Sequence, residues 1–114
     1  MRYWTVDEAR AYLPRLRHLV EVVRTAATLA GVARTNGHGT APSDDPRAAL
    51  AELESGDIVV RDPRTGLIDF HARGGDGVVY LLCYRLDEPD LAWWHLPEEG
   101  FAGRKRLPRR EGDR

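Results

Sequence analysis

The sequence predicts an α+β fold: a long N-terminal helix and a short second helix, together a helical hairpin, packed on a small antiparallel β-meander of three to four strands. Three observations predict it. Apolar or small residues fall at Val6, Ala9, Leu13, Leu16, Val20, Val23, Ala27 and Ala30, alternately three and four apart, a helical seam sustained over eight positions. From Asp57 onward the runs are rich in Val, Ile, Leu and Tyr and are bounded by Gly, Pro and Asp, which is the signature of strands. The turns between these runs are short, so consecutive strands are joined as hairpins and lie antiparallel.

At 114 residues the chain is one domain, large enough to bury a core without metals or disulfides. The long helix is expected over 1–34. Thr5-Val6-Asp7-Glu8 reads as a capping box, in which the Thr5 hydroxyl and the Glu8 carboxylate each satisfy a free backbone N–H of the other residue. Pro14 removes one helical hydrogen bond and is expected to kink the helix rather than end it. Residues 35–45 are turn formers throughout and read as a mobile loop. Asp45 then suits an N-cap, Pro46 the first helical position and Gly56 the C-terminal stop of a short helix over 46–55. That helix is too short to cover the whole seam. Leu13, Leu16, Val20, Val23 and Ala27 are therefore the expected interface of a homodimer.

The sheet is expected over 57–96, followed by a C-terminal segment and basic tail over 97–114. If Gly74-Gly75-Asp76-Gly77 and Asp87-Glu88-Pro89-Asp90 close their hairpins as four-residue loops, Arg73 pairs with Val78 and Leu86 with Leu91. Side chains alternate between faces. This register puts Ile68, Phe70, Ala72, Val79, Leu81, Cys83, Ala92, Trp94 and Leu96 on the core face. Asp69, His71, Tyr80, Leu82, Tyr84, Trp93 and His95 lie on the other. Asp69, Leu82 and His95 then form a row across three strands, and a slip of one residue would break it.

Composition excludes several classes of function. Net charge is −1, so a bulk electrostatic case for nucleic acid is missing. The segment from Arg104 to Arg114 carries six basic and two acidic residues but no aromatic on which a base could stack, and it reads as a frayed, solvated terminus. No apolar run is long enough to span a membrane and no signal peptide is evident, so the default expectation is the cytoplasm. A single cysteine excludes an internal disulfide. The 17 basic residues comprise sixteen Arg and Lys105, which suggests GC-rich coding and an actinobacterial source.

The chemistry-bearing residues permit more than one use. Asp69, His71 and His95 offer oxygen and nitrogen ligands suited to Zn(II) or Fe(II), although no cofactor is required by the sequence and a hydrogen-bonded polar patch is the simpler reading. His95 can act as a general base oriented by Asp69, with Glu88 assisting. Cys83, on the expected core face, reads as a small buried hydrophobe. Gly100-Phe101-Ala102-Gly103-Arg104 is either an anion-binding loop or, more simply, a turn that tucks Phe101 into the core.

Several of these segments occur together elsewhere. Tyr3-Trp4-Thr5 with Glu8-Ala9, Leu13-Pro14-Arg15-Leu16, Gly66-Leu67-Ile68-Asp69-Phe70, Leu82-Cys83-Tyr84-Arg85, Trp94-His95 and Gly100-Phe101-Ala102-Gly103-Arg104 resemble, in order, the bacterial domain of unknown function 2203 family. The resemblance implies a small soluble protein with an N-terminal helical part and a C-terminal sheet, and it implies no activity. It nominates Asp69, Cys83, Arg85, Glu88, Trp94, His95, Gly100 and Arg104. His71 stands where the family pattern has Pro, and Asp87 where it more often has Gly.

The expectation is a homodimeric binding or accessory module. Arg85, Glu88, Trp94, His95 and Arg104 would form a site at the sheet for a small anionic ligand or a protein partner, with neither nucleic acid nor membrane involved. The alternatives are a small, metal-dependent biosynthetic enzyme using His95 with Asp69 and Glu88, and a structural protein acting through its helix.

Overall fold

The computed structural model describes residues 1–29 and 45–108. Helix α1 spans Val6–Leu29 and α2 spans Pro46–Ser55. Five strands follow: β1 Val59–Asp62, β2 Leu67–Arg73, β3 Val79–Tyr84, β4 Trp93–His95 and β5 Lys105–Arg106. The expected stretch 30–34 of the first helix, most of the loop 35–45 and the tail from Arg109 lie outside the described residues.

Both helices begin as their sequences dictate. Glu8 N donates to Thr5 Oγ1 at 3.0 Å and Thr5 N to Glu8 Oε1 at 3.0 Å, which closes the capping box. The helix runs on through Pro14. The Asp45 side chain caps α2 by accepting from Arg47 N. Gly56 ends α2 with φ −96°, so the left-handed residue is not Gly56 but Asp57, at φ 56°. Gly56 instead allows close approach: Trp4 Nε1 donates to its carbonyl at 2.8 Å, and a Cβ there would lie 3.1 Å from the Trp4 ring.

The two helices are clamped by a polar cluster. Glu52 accepts a two-pronged pair of bonds from Arg15, at 3.0 and 2.6 Å, and a third from the Tyr12 hydroxyl at 2.9 Å. Burial, then the Glu52 bond and charge, push the Tyr12 hydroxyl from its ordinary 10 up to about 12. The neutral phenol is thus favoured in the folded state. Its contribution is whole below pH 10 and is lost as pH rises toward 12. Alkaline titration followed by tyrosinate absorbance should show one phenol ionising late, and Tyr12→Phe should remove it. An unchanged titration in that variant would contradict the clamp.

The sheet is a meander in the order β1-β2-β3-β4-β5, antiparallel throughout. The fifth strand falls in a segment read from sequence as a frayed terminus. Its ordering has a physical cause: Leu107 N donates to Ala92 O at 2.8 Å and the Leu107 side chain is buried.

The register differs from expectation by one residue in each hairpin around β3. Arg73 pairs with Val79, so the loop is Gly74–Val78, with Gly74 N donating to Val78 O. Cys83, not Tyr84, pairs with Trp93. The two slips cancel between β2 and β4, which keep their expected faces, and only β3 is turned over. Tyr80, Leu82 and Tyr84 therefore join Ile68, Phe70 and Trp94 on the helix side. Leu81 and Cys83 move to the far face beside Asp69 and His95. The core holds Trp4, Leu13, Leu16, Val20, Leu53, Ile68, Phe70, Leu82 and Tyr84 among others.

That core also bears on the seam. Leu13, Leu16 and Val20 are buried in this chain's own core, so they are not interface positions. Val23 and Ala27 are half-buried and Leu29 is exposed. Burial along α1 ends at Val20 because α2 has only ten residues with which to cover it.

Candidate functional site

The far face of the sheet carries buried polar groups. Asp69 on β2 and His95 on β4 are the buried polar residues of the described chain, and Cys83 on β3 lies between their strands. The donor atoms of the three lie within 4.8 Å of one another. They line a cavity of about 200 Å³ with Arg61, Leu67, Pro97, Glu99, Gly100 and Phe101. The chain returns after β4 to roof this face, and the single turn Phe101–Gly103 leads into β5.

Both Asp69 oxygens have a close polar neighbour. Oδ2 accepts from Arg61 Nε at 2.7 Å, and Oδ1 lies 3.2 Å from His95 Nε2. Arg61 lies two residues beyond Val59, which pairs with Asp69, so it shares the face of Asp69, and it stands unpaired where the β1–β2 ladder is irregular between Val60 and Asp62. The other ring nitrogen, His95 Nδ1, is 2.9 Å from the Leu96 carbonyl. Burial, then the charge of Asp69, raise the Cys83 thiol to about 12 against the opposing pull of Arg104. On its own this thiol is protonated and unreactive.

A second cluster adjoins the first. Glu88 Oε1 accepts from Arg104 Nη2 at 2.7 Å and from Arg85 N at 2.8 Å. Arg104 also reaches the Cys83 carbonyl at 3.4 Å, and its guanidinium lies against the rings of Phe101 and Trp93, 4.5 and 5.0 Å from their centroids. The Arg104 and Glu88 side chains are 9 % and 13 % exposed. The pair anchors the returning segment and lines no part of the cavity over Asp69.

The structure thus brings Asp69 to His95 and Glu88 to Arg104, and separates the rest. The Arg85 side chain turns outward to Asp87 at 2.6 Å. Trp94 packs edge-on to Tyr80 on the core side. His71 is held by its Nδ1 against the Asp57 carbonyl at 2.8 Å, outside the cluster, and Cys83 takes the place the sequence assigned to it. Phe101 does not enter the core and is 43 % exposed. Sequence reasoning missed Arg61, and by residue spacing it missed Cys83 as a site residue, although the resemblance had nominated Cys83.

Segments carrying the resemblance converge here: Asp69, Cys83, His95, Gly100 and Phe101 line one cavity, and Arg104 reaches the Cys83 carbonyl beside it. A family model described as uncharacterized conserved protein (DUF2203) matches residues 30–107. Neither the curated proteins nor the solved structures contain a match. No helix of the described residues is long and apolar enough to cross a membrane.

Proposed function

The chain belongs to the DUF2203 family of uncharacterised conserved proteins, and for this member we propose a small ligand-binding module that takes a small anion in the cavity over Asp69, Cys83 and His95. Arg61 carries the reading. Its Nε is engaged by Asp69, its terminal nitrogens carry no hydrogen bond among the described residues, and its side chain is 47 % exposed on the cavity wall. A guanidinium edge presented this way suits a carboxylate or phosphate. The cavity's own acids are already matched, Asp69 by Arg61 and Glu99 by Lys105 at 2.7 Å. A volume of about 200 Å³ admits a ligand the size of roughly six waters.

The test is calorimetric titration of chelator-treated protein with inorganic phosphate, acetate and malonate. Saturable binding of at least one anion is expected, weakened about tenfold or more in Arg61→Ala by loss of charge-assisted bonds. Equal binding by the variant would remove the reading. Catalysis by His95 with Asp69 and Glu88 is less well supported, because Glu88 is tied to Arg104 away from the cavity.

Self-association belongs to the same proposal, restricted to the end of α1 where Val22, Val23, Ala26 and Ala27 are half-buried and Leu29 is exposed. Light scattering at micromolar concentration should give twice the chain mass, and a monomer there would withdraw the dimer.

A further inference from the structure

We propose that Asp69, Cys83 and His95 form a mononuclear Zn(II) site at the floor of the cavity, with a fourth coordination position turned toward the ligand. His95 supplies the central observation. A backbone carbonyl only accepts hydrogen bonds, so the 2.9 Å contact with Leu96 places a proton on Nδ1. In the neutral ring Nε2 then carries a lone pair, and it faces the Asp69 carboxylate, which also only accepts, at 3.2 Å. Both residues are buried. Two lone pairs aimed at each other in the interior call for positive charge between them, a second ring proton or a metal ion, and the third donor, Cys83, within 4.8 Å of both points to the metal.

The geometry fits a metal. Zinc bonds of ~2.1 Å at a tetrahedral angle set neighbouring donors about 3.4 Å apart. The Asp69–His95 pair is 3.2 Å apart, and the Cys83 donor is within 4.8 Å of both. One sulfur, one nitrogen and one oxygen donor form a mixed set suited to zinc, and three protein ligands leave a position open. The surroundings supply a second shell as well. Leu96 O fixes the imidazole, and Arg61 orients Asp69 through the oxygen left for it. Binding forms the Zn–S bond and releases the Cys83 proton to solvent. A thiolate, a carboxylate and Zn(II) sum to zero charge, and Arg61 beside them leaves the site positive. The metal thereby deepens the anion-pocket reading, on which the occupant of its fourth position rests.

Co(II) is the probe, titrated into the chelator-treated full chain in buffer free of phosphate and carboxylates. One equivalent per chain is expected, with a thiolate-to-cobalt charge-transfer band and the d–d bands of four-coordinate cobalt, all bleached by one equivalent of Zn(II). Cys83 is the chain's one cysteine, so the band in the wild type already identifies the ligand. Cys83→Ser should lose the band and weaken binding by more than ~100-fold, beyond the usual cost of a second-shell change. A wild type without the band, or a folded Cys83→Ser that binds as tightly, would overturn the zinc site. So would a nitrogen-15 spectrum showing the His95 ring doubly protonated at neutral pH with zinc present. Anion binding by metal-free protein that takes up no cobalt would sink the zinc site alone. Cobalt binding without any anion binding would sink the ligand reading alone.

Discussion

Arg104→Met is expected to lower the unfolding free energy by about 3 kcal/mol, the range found when one partner of a buried ion pair is removed. Glu88, 13 % exposed, would keep the Arg85 N–H but lose its charged partner at 2.7 Å. The contacts of the guanidinium with Phe101 and Trp93 would be lost as well. Urea denaturation supplies the measurement, and Glu88→Gln combined with Arg104→Met separates the causes. If the stranded carboxylate is the main cost, the double variant should recover ~1 kcal/mol or more through coupling. A single-variant loss below ~1 kcal/mol would mean that water reaches Glu88 freely and that the pair does not anchor the segment over the cavity.

Gly66→Ala should be of similar size for an unrelated reason. Gly66 has φ +73°, where a side chain costs ~1–2 kcal/mol. The added Cβ would lie 2.5 Å from Leu86 Cγ and 2.9 Å from Leu86 Cβ. The second contact is close to the backbone, so a rotamer change does not relieve it, and overpacking adds ~1–3 kcal/mol. The expected loss is therefore about 3 kcal/mol, measured as a shift in the urea midpoint with unchanged slope. Adding Leu86→Ala should return the part of the steric cost that comes from Cγ and Cδ1 and leave the Cβ contact and the backbone part. A Gly66→Ala protein as stable as the parent would show that the turn before β2 relaxes freely.

Much of this architecture can be read locally. Thr5 and Glu8 mark a helix start by their spacing, and Asp45-Pro46 marks another, because caps are decided within one turn of chain. Asp69 and His95 could be placed on one face because β2 and β4 each alternate. The facing of β3 could not be read this way. Leu81, Leu82, Cys83 and Tyr84 are all buried, so both faces of the strand are apolar and alternation carries no signal. Loop length alone decided it, and Val78 belongs to the loop because its carbonyl accepts from Gly74. One residue of loop was therefore the difference between Cys83 in the core and Cys83 in the site. Arg61 was missed for a different reason: alternation puts it on the face of Val59, but that Val59 lies opposite Asp69 shows only in the pairing of two strands.

The two ends of the meander decide how this sheet meets other sheets. Unpaired edge strands invite addition of foreign strands and hence aggregation. Here β5 is two residues long, carries Lys105 and is followed by Pro108, while β1 is four residues long, broken by the bulge at Arg61 and followed by Pro63. Neither edge offers a straight ladder of free N–H and C=O groups long enough to template growth. The irregularity at Arg61, beside the candidate site, is thus also a guard against edge-to-edge polymerisation.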